Sequence, residues 1–176
     1  MLGLERGKVR LVSHNPKWAE LFEQEKSLLL KTFGDRILAI EHIGSTAIPG
    51  LPAKPIIDIN VAISSLKDIG IFIKELPKLG YEYIPERMFA DRKFFPKGPA
   101  EERTHHLNLV EITSETEWKD KLLFRDYLRI HQEAREIYSK VKQGLADKHP
   151  DNREEYRKQR SVFVDSIIKR AKNLLN

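Results

Sequence analysis

The chain has 176 residues, no Cys, nine Gly, nine Pro and 40% hydrophobic residues. That size suits one domain, with roughly 70% of the unfolded surface removed from water on folding. Basic and acidic residues nearly balance, 31 against 26, and apolar residues are plentiful, which argues against disorder. The lack of Cys excludes disulfides, thiol nucleophiles, Cys-based zinc sites and iron–sulfur clusters. No apolar run approaches the ~20 residues of a membrane span, and the polar start from Met1 to Pro16 does not read as a signal peptide. The expectation is therefore a soluble, cytoplasmic, single-domain protein.

Of the net charge of +5, +4 falls between Lys148 and Asn176, where eight Lys/Arg meet four Asp/Glu. Such a stretch suits phosphates of a nucleotide or of nucleic acid, or forms a solvated helix face. No RNA-binding motif accompanies it, so nucleic acid is the weaker of the two phosphate partners.

In chain order, Lys8 to Ser13 alternates and predicts a short strand. Asn15-Pro16 predicts a capped helix start, with Trp18, Leu21, Phe22, Leu28 and Leu29 inward and Gly34 as the stop. Ile37 to Ile43 predicts a buried strand. Gly44 to Pro55 holds two Gly and three Pro in twelve residues and reads as a constrained loop. Ile56 to Ile63 is a β-branched strand on which Asp58 and Asn60, two apart, share a face. Ser65 to Leu79 predicts a helix with an irregular last turn at Pro77, and Tyr81 to Ile84 a short strand. Phe89 to Pro96 and Thr104 to Ile112 predict a hairpin, with His106 and Asn108 on one face and His105 on the other. Three helices follow: Glu115 to Ile130, Gln132 to Lys148, and a last one capped by Asp151 or Asn152. In that last helix Tyr156, Phe163, Ile167, Ala171 and Leu174 are expected inward, and Arg153, Arg157 and Lys158 outward.

The chemical signal is concentrated in HIGSTAIPGLPAKPIIDIN, residues 42–60. A Gly-Ser turn after a strand lets backbone approach a phosphate and offers a hydroxyl donor. A carboxylate on the next strand can hold Mg²⁺ bridging phosphate oxygens. His106, near its unperturbed pKa of about 6.5, suits a ligand or a general base. Arg125 and Arg129, one helical turn apart, suit either a phosphate clamp or salt bridges.

These residues, together with FFPKG, THHLNLVE, FRDYLR and the terminal Tyr-x-x-x-Arg-x-x-Phe, resemble the GrpB family over essentially the whole chain. The resemblance implies a nucleotidyltransferase-like (polymerase-β-like) α+β fold: a mixed sheet with helices on one face, plus a C-terminal helical bundle. It implies one domain over residues 1–176, an α/β core at 1–113 and a helical part at 114–176, with the pocket between sheet and bundle. Carried onto this sequence, Asp58 and His106 are the candidate catalytic residues. Gly44, Ser45, Thr46, Lys54, Arg125 and Arg160 are the candidates for nucleotide or phosphate binding. Asp58, Asn60 and Asn108 are the candidate ligands of a Mg²⁺ ion. Amides stand where an active transferase would have its second and third carboxylates, which weakens that metal site. Two readings stay open: transfer of a nucleoside monophosphate from an NTP to an acceptor, and binding of a nucleotide or coenzyme-A-like ligand without transfer.

Overall fold

A computed structural model describes residues 2–175. The order of elements is α1 (Lys17–Phe33), β1 (Ala39–Ile43), β2 (Ile57–Ile63), α2 (Gly70–Glu75), β3 (Lys93–Lys97), β4 (His105–Glu111), α3 (Asp120–Ile130), α4 (Gln132–Lys148) and α5 (Arg153–Asn173). The four strands form one mixed sheet in the order β1-β2-β4-β3. The fold is thus mixed α+β with five helices, as expected. The central pair β2 and β4 runs parallel; β1 and β3 flank it antiparallel. Pro96 lies on β3 at the sheet edge, where a missing N–H breaks no ladder.

Strand alternation gives the two sheet faces opposite characters. One face carries Ile57, Ile59, Val61 and Ile63 of β2 with Leu107 and Leu109 of β4. It packs against Trp18, Phe22, Leu29 and Phe33 of α1 and Phe72 of α2, with the Phe33 and Phe72 rings stacked 4.4 Å apart. The other face is apolar only at one end, where Ala62 and Val110 meet Trp118. Its other end presents Asp58, Asn60, His106 and Asn108. Helices α3 to α5 cover this second side, held together by Phe124, Leu128, Tyr138 and Ile167 with Ile48 and Leu51 of the loop before β2. Helices α1 and α2 thus cover the apolar face, and the C-terminal helical part closes over the polar face.

Several local expectations change in the tertiary setting. Lys8 to Ser13 contributes only a single bridge, Val12 to Ala53. Its alternation is spent elsewhere, Val9 packing with Ala146 and Tyr156 and donating to the Pro150 carbonyl at 2.7 Å. The helix expected from Ser65 starts only at Gly70, because Ser65 Oγ and Glu111 Oε1 take the N–H groups of Lys67 and Leu66. It passes into a 3₁₀ turn at Leu76–Leu79, containing Pro77. Tyr81 makes one bridge, to Lys97, and no strand. The helix expected from Glu115 begins with a π-helical turn, Glu115–Lys119, before α3. Asn152 does cap α5, accepting from Glu155 N at 3.0 Å. Leu174, expected inward, is 68% exposed.

One buried ion pair crosses from α1 to the sheet. Glu25 accepts both from Lys97 Nζ at 2.8 Å and from the Tyr81 hydroxyl at 2.8 Å. Removing one partner strands the other charge, at a cost of about 3–5 kcal/mol, whereas replacing both by apolar groups is near neutral. Glu25→Leu alone should therefore lower the unfolding free energy by several kcal/mol, and adding Lys97→Met should restore most of it, measured by urea denaturation.

Candidate functional site

The site begins at the end of β1. Gly44 turns the chain with φ of +70°, in the left-handed region. A Cβ there would meet Asp58 Oδ2 at 2.7 Å, so only Gly lets the turn sit against the carboxylate. Ser45–Ala47 continue as one 3₁₀ turn. Parallel pairing sets Asp58 opposite His106 and Asn60 opposite Asn108. His106 Nδ1 lies 3.0 Å from Asp58 Oδ1, and the Phe94 ring lies against the imidazole at 5.2 Å. Burial opposes the charge of Asp58, but the His106 hydrogen bond and the nearby charges of His106, Lys54 and Arg153 hold its carboxyl down to about 2. Burial lowers the pKa of His106 despite the Asp58 contact. At neutral pH the pair is a carboxylate beside a neutral imidazole.

This pair lies in the wall of a cavity of about 890 Å³ between the polar sheet face and α4–α5. Nine Lys/Arg but only four Asp/Glu line it. Glu117 is engaged with Arg92 at 3.8 Å and Lys121 at 4.0 Å, leaving fewer acids to balance the cations. Arg153, Arg157 and Arg160 come from α5 at i, i+4 and i+7, so they form one stripe along the helix. Lys54 projects from the loop before β2, its Nζ 5.8 Å from the Tyr156 ring centre. Burial first, then Arg153 and Arg160, push the Lys54 ammonium down to about 7. Lys142 of α4 is 1% exposed, donates to the Pro52 carbonyl and is held well below the usual lysine range by burial. The Tyr138 hydroxyl lies within reach of Ser45 and Arg160. Among the described residues, Asn108 Oδ1, the Tyr156 hydroxyl and Arg160 Nε are buried in this wall without a hydrogen-bond partner.

Residues 8–170 match the family model described as GrpB protein. The chain belongs to the GrpB family. It is 38% identical over 172 residues to the glutamate-rich protein GrpB of Alkalihalophilus pseudofirmus, covering 96% of this chain and 98% of that one. A crystal structure of the conserved protein GrpB from Enterococcus faecalis matches with a TM-score of 0.86 at 34% identity, covering 95% of this chain and all of that one. A shorter stretch of 91 residues, half of this chain, is 35% identical to 22% of the length of a dephospho-CoA kinase of Mycolicibacterium paratuberculosis.

Of the residues expected at the site of this GrpB family member, Gly44, Ser45, Thr46, Lys54, Asp58, His106, Asn108 and Arg160 line the cavity. Arg125 does not. It is a structural clamp: its guanidinium pairs with Glu41 and Asp126 and donates to the His42 carbonyl at 2.9 Å. Arg129 likewise holds the Ala47 carbonyl at 3.0 Å. Both arginines therefore grip the Gly-Ser turn from behind. The Thr46 hydroxyl is also committed, accepting from His42 Nε2 at 2.9 Å and donating to the Ile56 carbonyl at 3.4 Å. Burial pushes His42 down to about 4, which keeps it neutral in this relay. Arg153, expected outward, and Arg157, at the rim, join the cavity. The 3–4 spacing of Arg153, Arg157 and Arg160 with Tyr156 was the sequence signal for them.

The expected metal ligands do not assemble. Asn60 is 1% exposed, donates to the Glu117 carbonyl at 2.5 Å and accepts from Asn108 Nδ2 at 3.2 Å. It pins the π turn to the sheet rather than facing a ligand. Asp58 is left as the only carboxylate on this stretch of the sheet, among cations. No group of three His, Cys, Asp or Glu gathers for a metal among the described residues. A hard divalent ion needs several oxygen ligands and negative charge, so this donor set does not fit a resident Mg²⁺.

Two variants test the turn. Gly44→Ala should cost about 1–3 kcal/mol in chemical denaturation, from the positive φ and the displaced carboxylate. Asp58 stabilises the fold most above its unfolded pKa of about 4. That contribution should fade as pH falls from about 4 through about 2, because the folded carboxyl binds its proton less readily. Acid unfolding of Asp58→Asn should lack this component of the wild-type profile.

Proposed function

We propose that the cavity binds a polyanionic phosphate compound, a nucleotide or a coenzyme-A-like molecule, without a resident metal. The observation that carries this reading is the set of cavity-facing cations Lys54, Arg153 and Arg157, which make no ion pair with a described residue. Burial and then the like charges of Arg153 and Arg160 depress the pKa of Lys54, whereas at Arg153 burial lowers the pKa and Asp58 partly offsets it before Arg157 adds its repulsion. An anion removes that repulsion and supplies acceptors to the guanidinium groups, whose planar donor fork matches phosphate oxygens. The orphaned Arg160 Nε gives such a ligand a further donor. The resemblance of half the chain to part of a protein named dephospho-CoA kinase lends support to a nucleotide-like ligand.

A second reading rests on a separate observation, the Asp58–His106 pair beside these cations. With a carboxylate orienting a neutral imidazole, it can accept a proton from a hydroxyl attacking a phosphate. In that reading a nucleoside monophosphate passes from an NTP to an acceptor, and any metal arrives with the nucleotide. Steady pyrophosphate release would favour transfer; stabilisation without product would favour binding alone.

Thermal unfolding against pyrophosphate, ATP and coenzyme A tests the principal reading. A ligand at 100 times its Kd adds about 2.7 kcal/mol of stability. Arg153→Ala should weaken binding roughly tenfold or more, as expected for loss of a charge-assisted contact worth about 1.5–3 kcal/mol. Sulfate keeps a constant charge over this range and so isolates Lys54. Its affinity should be highest below pH 7 and fall as Lys54 loses its proton on rising through about 7. Absence of a shift with every anion, at any pH, would refute the proposal.

A further inference from the structure

We infer that Lys54 is a nucleophilic amine, and that the pocket accepts a phosphorylated aldehyde or ketone whose carbonyl carbon bonds to Lys54 Nζ as an imine. This deepens the phosphate-pocket reading and rests on it.

Four features converge. First, the backbone of Lys54 is fixed. Ala53 pairs with Val12 through hydrogen bonds of 2.9 and 3.0 Å, Pro55 follows, and Ile56 N donates to the Lys54 carbonyl at 2.7 Å. The amine is thereby presented from a rigid loop. Second, Lys54 lines the cavity with no carboxylate in an ion pair with it, so nothing ties up its nitrogen. Its recorded contact is the face of Tyr156. Third, the charged groups around it come from three sides: Arg153, Arg157 and Arg160 from α5, Lys142 from α4, and Asp58 and His106 from the sheet. The nine cations of the cavity outnumber its four acids, of which Asp58 is the one that acts on Lys54, and this favours a neutral amine, consistent with its pKa near 7. A lysine desolvated next to other cations is the arrangement that activates an amine for Schiff-base chemistry. Fourth, three arginines suffice to anchor a phosphate, and guanidinium is better suited to that task than ammonium. Near pH 7 the protonated fraction of Lys54 adds to anion binding, while its neutral fraction acts on another part of the same ligand.

The step balances without an oxidant or reductant. The Nζ lone pair attacks the carbonyl carbon, and a proton moves from nitrogen to the carbonyl oxygen to give a carbinolamine. Water then leaves and the C=N bond forms. The Asp58–His106 pair, which lines the same cavity, is the group offered to carry the proton.

The test uses the full chain and two probes, pyridoxal 5′-phosphate and pyridoxal, which differ only in the phosphate. After incubation at neutral pH and reduction with borohydride, adducts are located by peptide mass spectrometry. One adduct per chain is expected, on Lys54, formed at least roughly tenfold faster with the phosphorylated aldehyde and suppressed by excess inorganic phosphate. Its rate should be half-maximal near pH 7, whereas surface lysines react fully only near their usual pKa of about 10.4. Lys54→Arg should lose that adduct. If adducts scatter over surface lysines while phosphate still raises the melting temperature, the imine inference is overturned and the pocket stands. If Lys54 is labelled equally by both probes without protection by phosphate, the amine is nucleophilic but the anion pocket fails, and with it this substrate class.

Discussion

Asp58 can sit opposite His106 only because β2 and β4 run parallel in one register. A shift of β2 by one residue would turn Asp58 and Asn60 toward α1 and its isoleucines toward the cavity, burying charge in the core. The apolar face of β2 fixes that register, since Ile57, Ile59, Val61 and Ile63 all pack into the main core. Packing on one side of the sheet thus determines the chemistry on the other. Gly44 then completes the arrangement, because the turn after β1 can rest on Asp58 only without a side chain.

The remaining polar residues divide between holding the site and facing it. Arg125 and Arg129 fasten the Gly-Ser turn from behind, His42 and Thr46 tie it to the start of β2, and Asn60 anchors the π turn. These groups have their hydrogen bonds satisfied within the protein. Lys54, Arg153 and Arg157 do not pair, and Arg160 Nε is orphaned. Lys54 and Arg153 are half-buried and Arg157 is exposed at the rim. Half-buried charge without a partner is costly, so a ligand that supplies the missing anion gains what the fold leaves unsatisfied at Lys54 and Arg153. The contrast between a satisfied frame and unsatisfied cations separates structure from function here better than residue type does.

The same contrast explains why the metal reading does not carry over. In a two-metal site, clustered carboxylates repel until a cation arrives. In this cavity clustered cations repel until an anion arrives. The two amides, Asn60 and Asn108, hydrogen-bond one another at the point where two further carboxylates would be needed. That exchange removes negative charge and leaves the electrostatics of the site governed by α5.

Much of this was legible in the sequence. Period-two alternation located β2 and β4 and put Asp58 with Asn60, and His106 with Asn108, on common faces. The Gly-Ser turn and the Asn152 cap followed from local backbone chemistry. What local pattern could not decide was which partners each side chain meets. Arg125 and Arg160 look alike in sequence, each one turn from other charged residues. Only packing shows that Glu41, Asp126 and the His42 carbonyl consume Arg125, while Arg160 turns into the cavity. Likewise, Lys8 to Ser13 has a strand's alternation but makes a single bridge, Val12 to Ala53, and serves to link the C-terminal helices to the Gly44–Pro55 loop. The sequence alone determined the central strands β2 and β4, the long helices and the face each of their residues shares, because these depend on neighbours a few positions away. The charge of the cavity depends on residues up to about a hundred positions apart, such as Lys54 and Arg160, which only the tertiary fold brings together.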